Sequence, residues 1–202
     1  MSEKTKATWR EVLFSKNLVK KNKSHKIAYI AIMTALNIAV NALASLPLGF
    51  EILSLTILSS VLTGILIGPL FGFAACFIGD TLGFMIGAGG ANGWTPWIGL
   101  ATAMMALIAG FLFNGLRWKL KGAWAIKLAL IGLITFLVCT VGINTTAMYF
   151  LWYSKTFSSW GEFLIFRLLS PIQIMNNLLN YGLLFAVLPT LGKIKPLKIS
   201  ID

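Results

Sequence analysis

Two charged side chains stand inside long apolar runs of this 202-residue chain, Asp80 in GFAACFIGDTLGF and Arg167 in GEFLIFRLLS. A charge near the centre of a bilayer costs about 2.5–3.5 kcal/mol on insertion scales, so such residues are normally paired or functional. Counted from Gly87 and Phe163, the near ends of their segments, both lie roughly 6–10 Å below the same surface at the helical rise. That shared depth suits an ion pair, or a pocket open to that surface in which Arg167 grips an anionic group. Amides gather at related depths: Asn37 and Asn41, then Asn144, then Gln173, Asn176, Asn177 and Asn180. A single amide is an ordinary helix–helix hydrogen bond. Seven of them in three segments, beside Arg167, point to a polar cavity.

The chemistry on offer is therefore binding. His25 is the only histidine and lies in a basic arm, so a His-based metal site or catalytic triad has no residues to build it. There is no G-x-x-x-x-G-K-[ST] phosphate loop, no H-E-x-x-H, no G-x-S-x-G, and no series of buried carboxylates for a proton relay. Cys76 and Cys139 sit in apolar runs and read as packed thiols. No cofactor is expected.

The elements that hold these residues are set by charge and hydropathy. A mean hydropathy of +0.83 with only 11% charged residues excludes an ordinary soluble domain. Of 17 Lys and Arg residues, 15 fall in three islands: Lys4 to Lys26, Arg117 to Lys127, and Lys193 to Lys198. Positive charge marks the cytoplasmic side of membrane helices, and about 20 apolar residues cross a bilayer. Three islands on one side require an even number of crossings between them. The expected fold is an all-α polytopic membrane protein with six transmembrane helices, over 27–46, 52–67, 70–86, 97–116, 124–152 and 163–191, and both termini cytoplasmic. Residues 1–26 form a basic arm, 27–191 the membrane domain and 192–202 a basic tail. The arm lacks the short apolar core of a cleaved signal peptide. The net charge of +11 is explained by the membrane, and nucleic acid is excluded as a partner.

Punctuation and packing signals support this order. Gly68-Pro69 makes a tight inner turn with Pro69 at the first position of a helix, and Pro171 is expected to kink the sixth span. Ala31, Ala35 and Ala39 form one small-residue stripe, and Gly79, Gly83 and Gly87 another; such stripes let helices approach closely in lipid, or receive a partner's helix. Trp94 and Trp97 stand in or beside a glycine-rich outer stretch over 87–96, where an aromatic ring either anchors the interface or stacks on a flat ligand.

In this order, the alanine stripe, GILIGPLFGFAACFIGDTLGFMIG, the glycine-rich loop and INTTAMYFLWYSKTFSSWGEFLIFRLLSPIQIMNN resemble the substrate-binding (S) components of energy-coupling factor (ECF) vitamin transporters, in particular the folate type. The resemblance covers about residues 28–190. It implies a plasma-membrane protein that captures a water-soluble vitamin at its outer face. Its partners would be a transmembrane coupling protein and two cytoplasmic ATPases, with Ala31, Ala35 and Ala39 as the docking surface. Arg167, Asn41, Asn144, Asn177, Gln173, Trp94, Trp97 and Asp80 are the candidate substrate-binding residues. The loop GAGGANGWTPWIGLATA departs from the folate-type pattern. Folate leads because Arg167 suits a carboxylate and a tryptophan suits a pterin; pantothenate and cobalamin are the alternatives. A stand-alone channel would need polar residues along a continuous path, and a lipid-acting enzyme would need His, Asp or Ser at the cytoplasmic interface.

Overall fold

The structure is a computed structural model that describes residues 9–43, 45–48, 51–87, 93–116 and 122–193. Its order is α1 (Trp9–Phe14), α2 (Lys16–Val19), α3 (Lys23–Leu43), β1 (Ser45–Leu48), β2 (Glu51–Ser54), α4 (Thr56–Ile67), α5 (Pro69–Ile86), α6 (Pro96–Gly115) and α7 (Ala123–Thr135). A π-helical stretch (Phe136–Thr145), α8 (Thr146–Met148) and a second π-helical stretch (Tyr149–Tyr153) continue α7 as one 31-residue rod. Then come α9 (Trp160–Leu168) and α10 (Pro171–Lys193). Five of these helices are long and apolar enough to cross a membrane, and α4 is a shorter apolar helix. An all-α membrane protein is what the sequence predicted. Arg117, Lys119, Lys121, the tail after Lys193 and half of the glycine-rich stretch over 87–96 lie outside the described residues.

Two elements differ from the sequence reading, each for a local reason. The loop after the first span is an antiparallel hairpin in which Leu46 pairs with Leu53 and Leu48 with Glu51. It consumes the start of the expected second span, so α4 has only 12 residues and is about 18 Å long, short of a bilayer's hydrocarbon core. The expected sixth span is two helices. Proline disfavours helical backbone in the residue before it, and Pro171 ends α9 and opens α10 across Leu169–Ser170 rather than kinking one rod. In the basic arm, α1 packs against α5 and α6, and α2 against α4.

Ser15 is the pin of that arm. It holds a left-handed φ of 54°, its Oγ donates to the Leu66 carbonyl at 2.8 Å, and it accepts from Leu18 N–H at 3.3 Å. Phe14 packs on Phe71 at 5.2 Å between ring centroids, and Leu18 is buried. Gly68, at φ 91°, lets this contact form, because a Cβ there would lie 2.6 Å from the Phe14 carbonyl carbon.

The core is a three-helix wedge of α4, α5 and α6, packed backbone to backbone. A Cβ on Gly64 would fall onto the Ala106 carbonyl, one on Gly72 would lie 2.9 Å from Gly64 Cα, and one on Gly110 would lie 2.6 Å from Pro69 N. Ile65, Ile67, Val61 and Phe113 fill the space around them. The outward faces carry Ile27, Ile32, Leu43, Ile86, Leu133 and Leu178, the apolar surface that lipid requires.

Gly64→Ala is expected to cost about 1–3 kcal/mol through overpacking. Gly182→Ala, with nothing within 4 Å of the added Cβ, should leave stability unchanged or slightly raised. Thermal unfolding in detergent checks this, and equal midpoints for the two variants would refute the wedge.

Candidate functional site

Among the described residues, the candidate polar side chains fall into four clusters, and each is placed by a different pair of elements. In the first, α3 turns one face to α5. A Cβ on Gly79 would lie 2.5 Å from Asn37 Cβ, and one on Gly83 would press on Asn41. Asn37 donates to the Met33 carbonyl at 2.8 Å and to Thr63 Oγ1 at 2.7 Å, and its Oδ1 accepts from Cys76 Sγ at 3.6 Å. Asn41 donates to the Asn37 carbonyl at 3.0 Å and accepts from Thr56 Oγ1 at 3.2 Å. These two amides therefore bind helices together. The alanine stripe lies on the opposite face of α3, where Ala31, Ala35 and Ala39 are all exposed.

The second cluster joins the hairpin to α10. Asn176 Oδ1 accepts from Ser54 N–H at 3.0 Å, while Asn180 accepts from Leu58 N–H at 2.9 Å and donates to the Ser54 carbonyl at 2.6 Å. Leu58 carries one of the amide hydrogens that α4 leaves without an intrahelical partner, so Asn180 caps that helix from 122 residues away. Gln173 donates to Asn177 at 3.4 Å along the same helix.

Asp80 and Trp94 make the third cluster. The Trp94 indole N–H donates to Asp80 Oδ2 at 2.9 Å, and the Phe77 ring meets Trp94 edge-on at 6.3 Å. A Cβ on Gly99 would lie 3.2 Å from Trp94 Cζ2 and 3.4 Å from Asp80 Oδ2, so glycine here keeps the indole seated on the carboxylate. Trp97, three residues on, is 56% exposed and outside this contact.

Arg167 belongs to the fourth cluster. Ser159 caps α9 by accepting from Glu162 N–H at 3.2 Å, and the Glu162 carboxylate reaches back to Ser158 N–H at 2.9 Å. Eight residues after Ser159, Arg167 occupies the last turn, where the helix dipole favours a cation. It is 6% exposed and donates through Nη1 to Thr145 Oγ1 at 3.0 Å. Asn144 is half-buried one residue earlier, in the π-helical stretch. Trp160 donates to Thr146 Oγ1 at 3.2 Å, and Phe163 is enclosed by Tyr149, Tyr153 and Phe157.

Of the two arrangements that their shared depth suits, the ion pair is not formed: Asp80 bonds the Trp94 indole and Arg167 the Thr145 hydroxyl. Sequence reading missed Thr145 and Thr146, because threonine is neutral in apolar helices and a π-helical register has no clear pattern. The adjacent pair beside Asn144 was the available signal. Ser15 was missed because the arm reads as uniformly polar.

Asn180→Ala strands the Leu58 N–H and the Ser54 carbonyl, and is expected to cost about 1–3 kcal/mol. Hydrogen exchange should show lost protection at Leu58, with the α5–α6 amides unchanged; full protection at Leu58 would refute the cap.

The sequence profile of the family described as ECF-type riboflavin transporter, S component, matches residues 21–191. Among solved structures, that of FolT bound with folic acid is similar in fold, with a TM-score of 0.61 at 13% sequence identity, covering 82% of this chain and 90% of that one. No curated protein sequence matches the chain.

Proposed function

The chain belongs to the family of ECF-type riboflavin transporter S components, and from that premise we propose that it captures a water-soluble vitamin at its outer face for an ATP-driven coupling module. In this reading the protein lies in the plasma membrane. The rod over 123–153, α3, α5, α6 and α10 cross the bilayer, and α4 with its hairpin makes one more passage, the second in chain order. The three basic islands then lie on the cytoplasmic side.

The observation that carries the reading is the two-faced character of α3. Asn37 is 1% exposed and locked into the bundle, whereas the small side chains of Ala31, Ala35 and Ala39 face outward in a stripe beside the exposed Ile32 and Leu36. In lipid such a face suits close approach of another helix, and the transmembrane coupling protein is the proposed occupant, working with two cytoplasmic ATPases. The glycine contacts of α4, α5 and α6 leave their inner ends packed backbone to backbone, which supports a one-sided binder over a channel.

Folate is the proposed vitamin. Its glutamate carboxylates suit the buried guanidinium of Arg167, and its flat pterin suits stacking on Trp94. Asp80, Asn144, Gln173 and Asn177 are the proposed polar lining, with Asn41 and Trp97 at its margin. Riboflavin is the second reading, favoured by the description of the matching family. It also has a flat ring system but no carboxylate, so the role of Arg167 separates the two.

Titrating the purified chain with folate, riboflavin, pantothenate and cobalamin, followed by quenching of tryptophan fluorescence, is expected to give saturable sub-micromolar binding of folate alone. Arg167→Ala should weaken folate binding by 10-fold or more, on the order expected for a charge-assisted hydrogen bond; tight riboflavin binding indifferent to that change would establish the second reading.

Ala35→Trp is expected to leave vitamin binding intact while abolishing uptake by cells that hold the coupling module. Uptake at the unmodified rate would remove the stripe as a docking face.

A further inference from the structure

Thr145 is fully buried, and its hydroxyl is committed on both sides. Oγ1 donates to the Thr140 carbonyl at 2.7 Å, five residues back, and accepts from Arg167 Nη1 at 3.0 Å. In an ordinary helix a threonine hydroxyl bonds the carbonyl three or four residues back. Here the π-helical stretch Phe136–Thr145 widens the turn and brings the fifth carbonyl within reach. The hydroxyl has one proton, and Thr140 takes it, so the lone pairs left can face only a donor. Thr145 is thereby fixed as an acceptor at the place where the guanidinium arrives.

The same contact is not what holds α9 on the rod. Trp160 is bonded to Thr146 at the other end of α9, and Phe163 is fully buried between Tyr149, Tyr153 and Phe157. Thr145 therefore acts on the direction of one side chain rather than on the docking of the helix. A guanidinium reads a carboxylate through the plane of its fork, and restraining one nitrogen restrains that plane.

We propose that Thr145, set by the π-helical register, is a positioning residue that orients Arg167 toward the anionic group of the vitamin. This rests on the folate reading of the site. It adds a role for a side chain that need not touch the ligand, and a reason for the irregular helix.

The test compares Thr145→Val, which keeps the shape and loses the hydroxyl, with Thr145→Ser, which keeps the hydroxyl. Each is titrated with folate and with a hydroxymethyl pterin that lacks the glutamate tail. Thr145→Val should lower folate affinity about 10-fold, on the order of one hydrogen bond to a charged group. Thr145→Ser should restore it to within about threefold, a residual of well under one such bond. The tail-less pterin should bind both variants as it binds the unmodified chain. Adding Thr145→Val to Arg167→Ala should cost nothing further, because the two act as a unit. Equal losses for both ligands, or a full further loss in the double variant, would mark Thr145 as merely structural and overturn the proposal. If Arg167→Ala abolishes folate binding while Thr145→Val leaves it unchanged, this inference alone falls. If the unmodified chain binds no folate, or Arg167→Ala changes nothing, the folate reading fails and takes the inference with it.

Discussion

A helix in lipid must satisfy its own end groups, and α4 is where this fold meets that demand most severely. Its first N–H and last C=O groups have no partner within the helix, and hydrocarbon would offer them none. Both ends are served by side chains distant in sequence: Asn180 from α10 at the start, and Ser15 from the arm at the finish. Each cap ties a different part of the chain to the wedge. Asn180 and Asn176 also hold the end of the hairpin, which fixes the outer loop. Ser15 brings the arm against the Gly68-Pro69 end of the wedge.

Around that wedge the molecule divides into two kinds of packing. On the α3–α5 side, glycine meets asparagine at close range and the polar atoms bond within the interface, so little room remains between the helices. On the side of α9 and the 123–153 rod, aromatic rings and irregular turns replace close backbone contact, with Tyr153 stacked on Phe163 at 5.1 Å. That contrast fits a proposed binding role for the second side and a proposed partner-facing role for the exposed rim of the first. The broken passage at Ser170–Pro171 matters for the same reason, since it places Arg167 at a helix end rather than in the middle of a continuous rod.

Much of this was legible from residue order alone. Hydropathy and charge islands predicted a polytopic helical bundle, and Gly68-Pro69 forms the turn it signals. The small-residue stripes were visible as stripes, and the amides and two charges were visible as residues that lipid does not tolerate without partners. What the pattern could not supply was who answers whom. Asp80 and Arg167 share a depth, which is a one-dimensional property, and depth does not fix rotation about the helix axis. The indole of Trp94 reaches the carboxylate because Gly99 leaves it room, and that requires knowing that α6 lies against α5.

Composition and periodicity thus determined the solvent of this protein, its helical class and the inventory of polar groups to be satisfied. Those follow from transfer free energies, which each segment carries with it. Tertiary structure alone decided that α4 is short, that α9 and α10 are separate helices, that the arm caps α4, and that an alanine face points outward while an asparagine face points in. Each of these depends on contacts between segments far apart in sequence, such as Asn180 with Leu58 and Ser15 with Leu66, and no local pattern encodes such a partner.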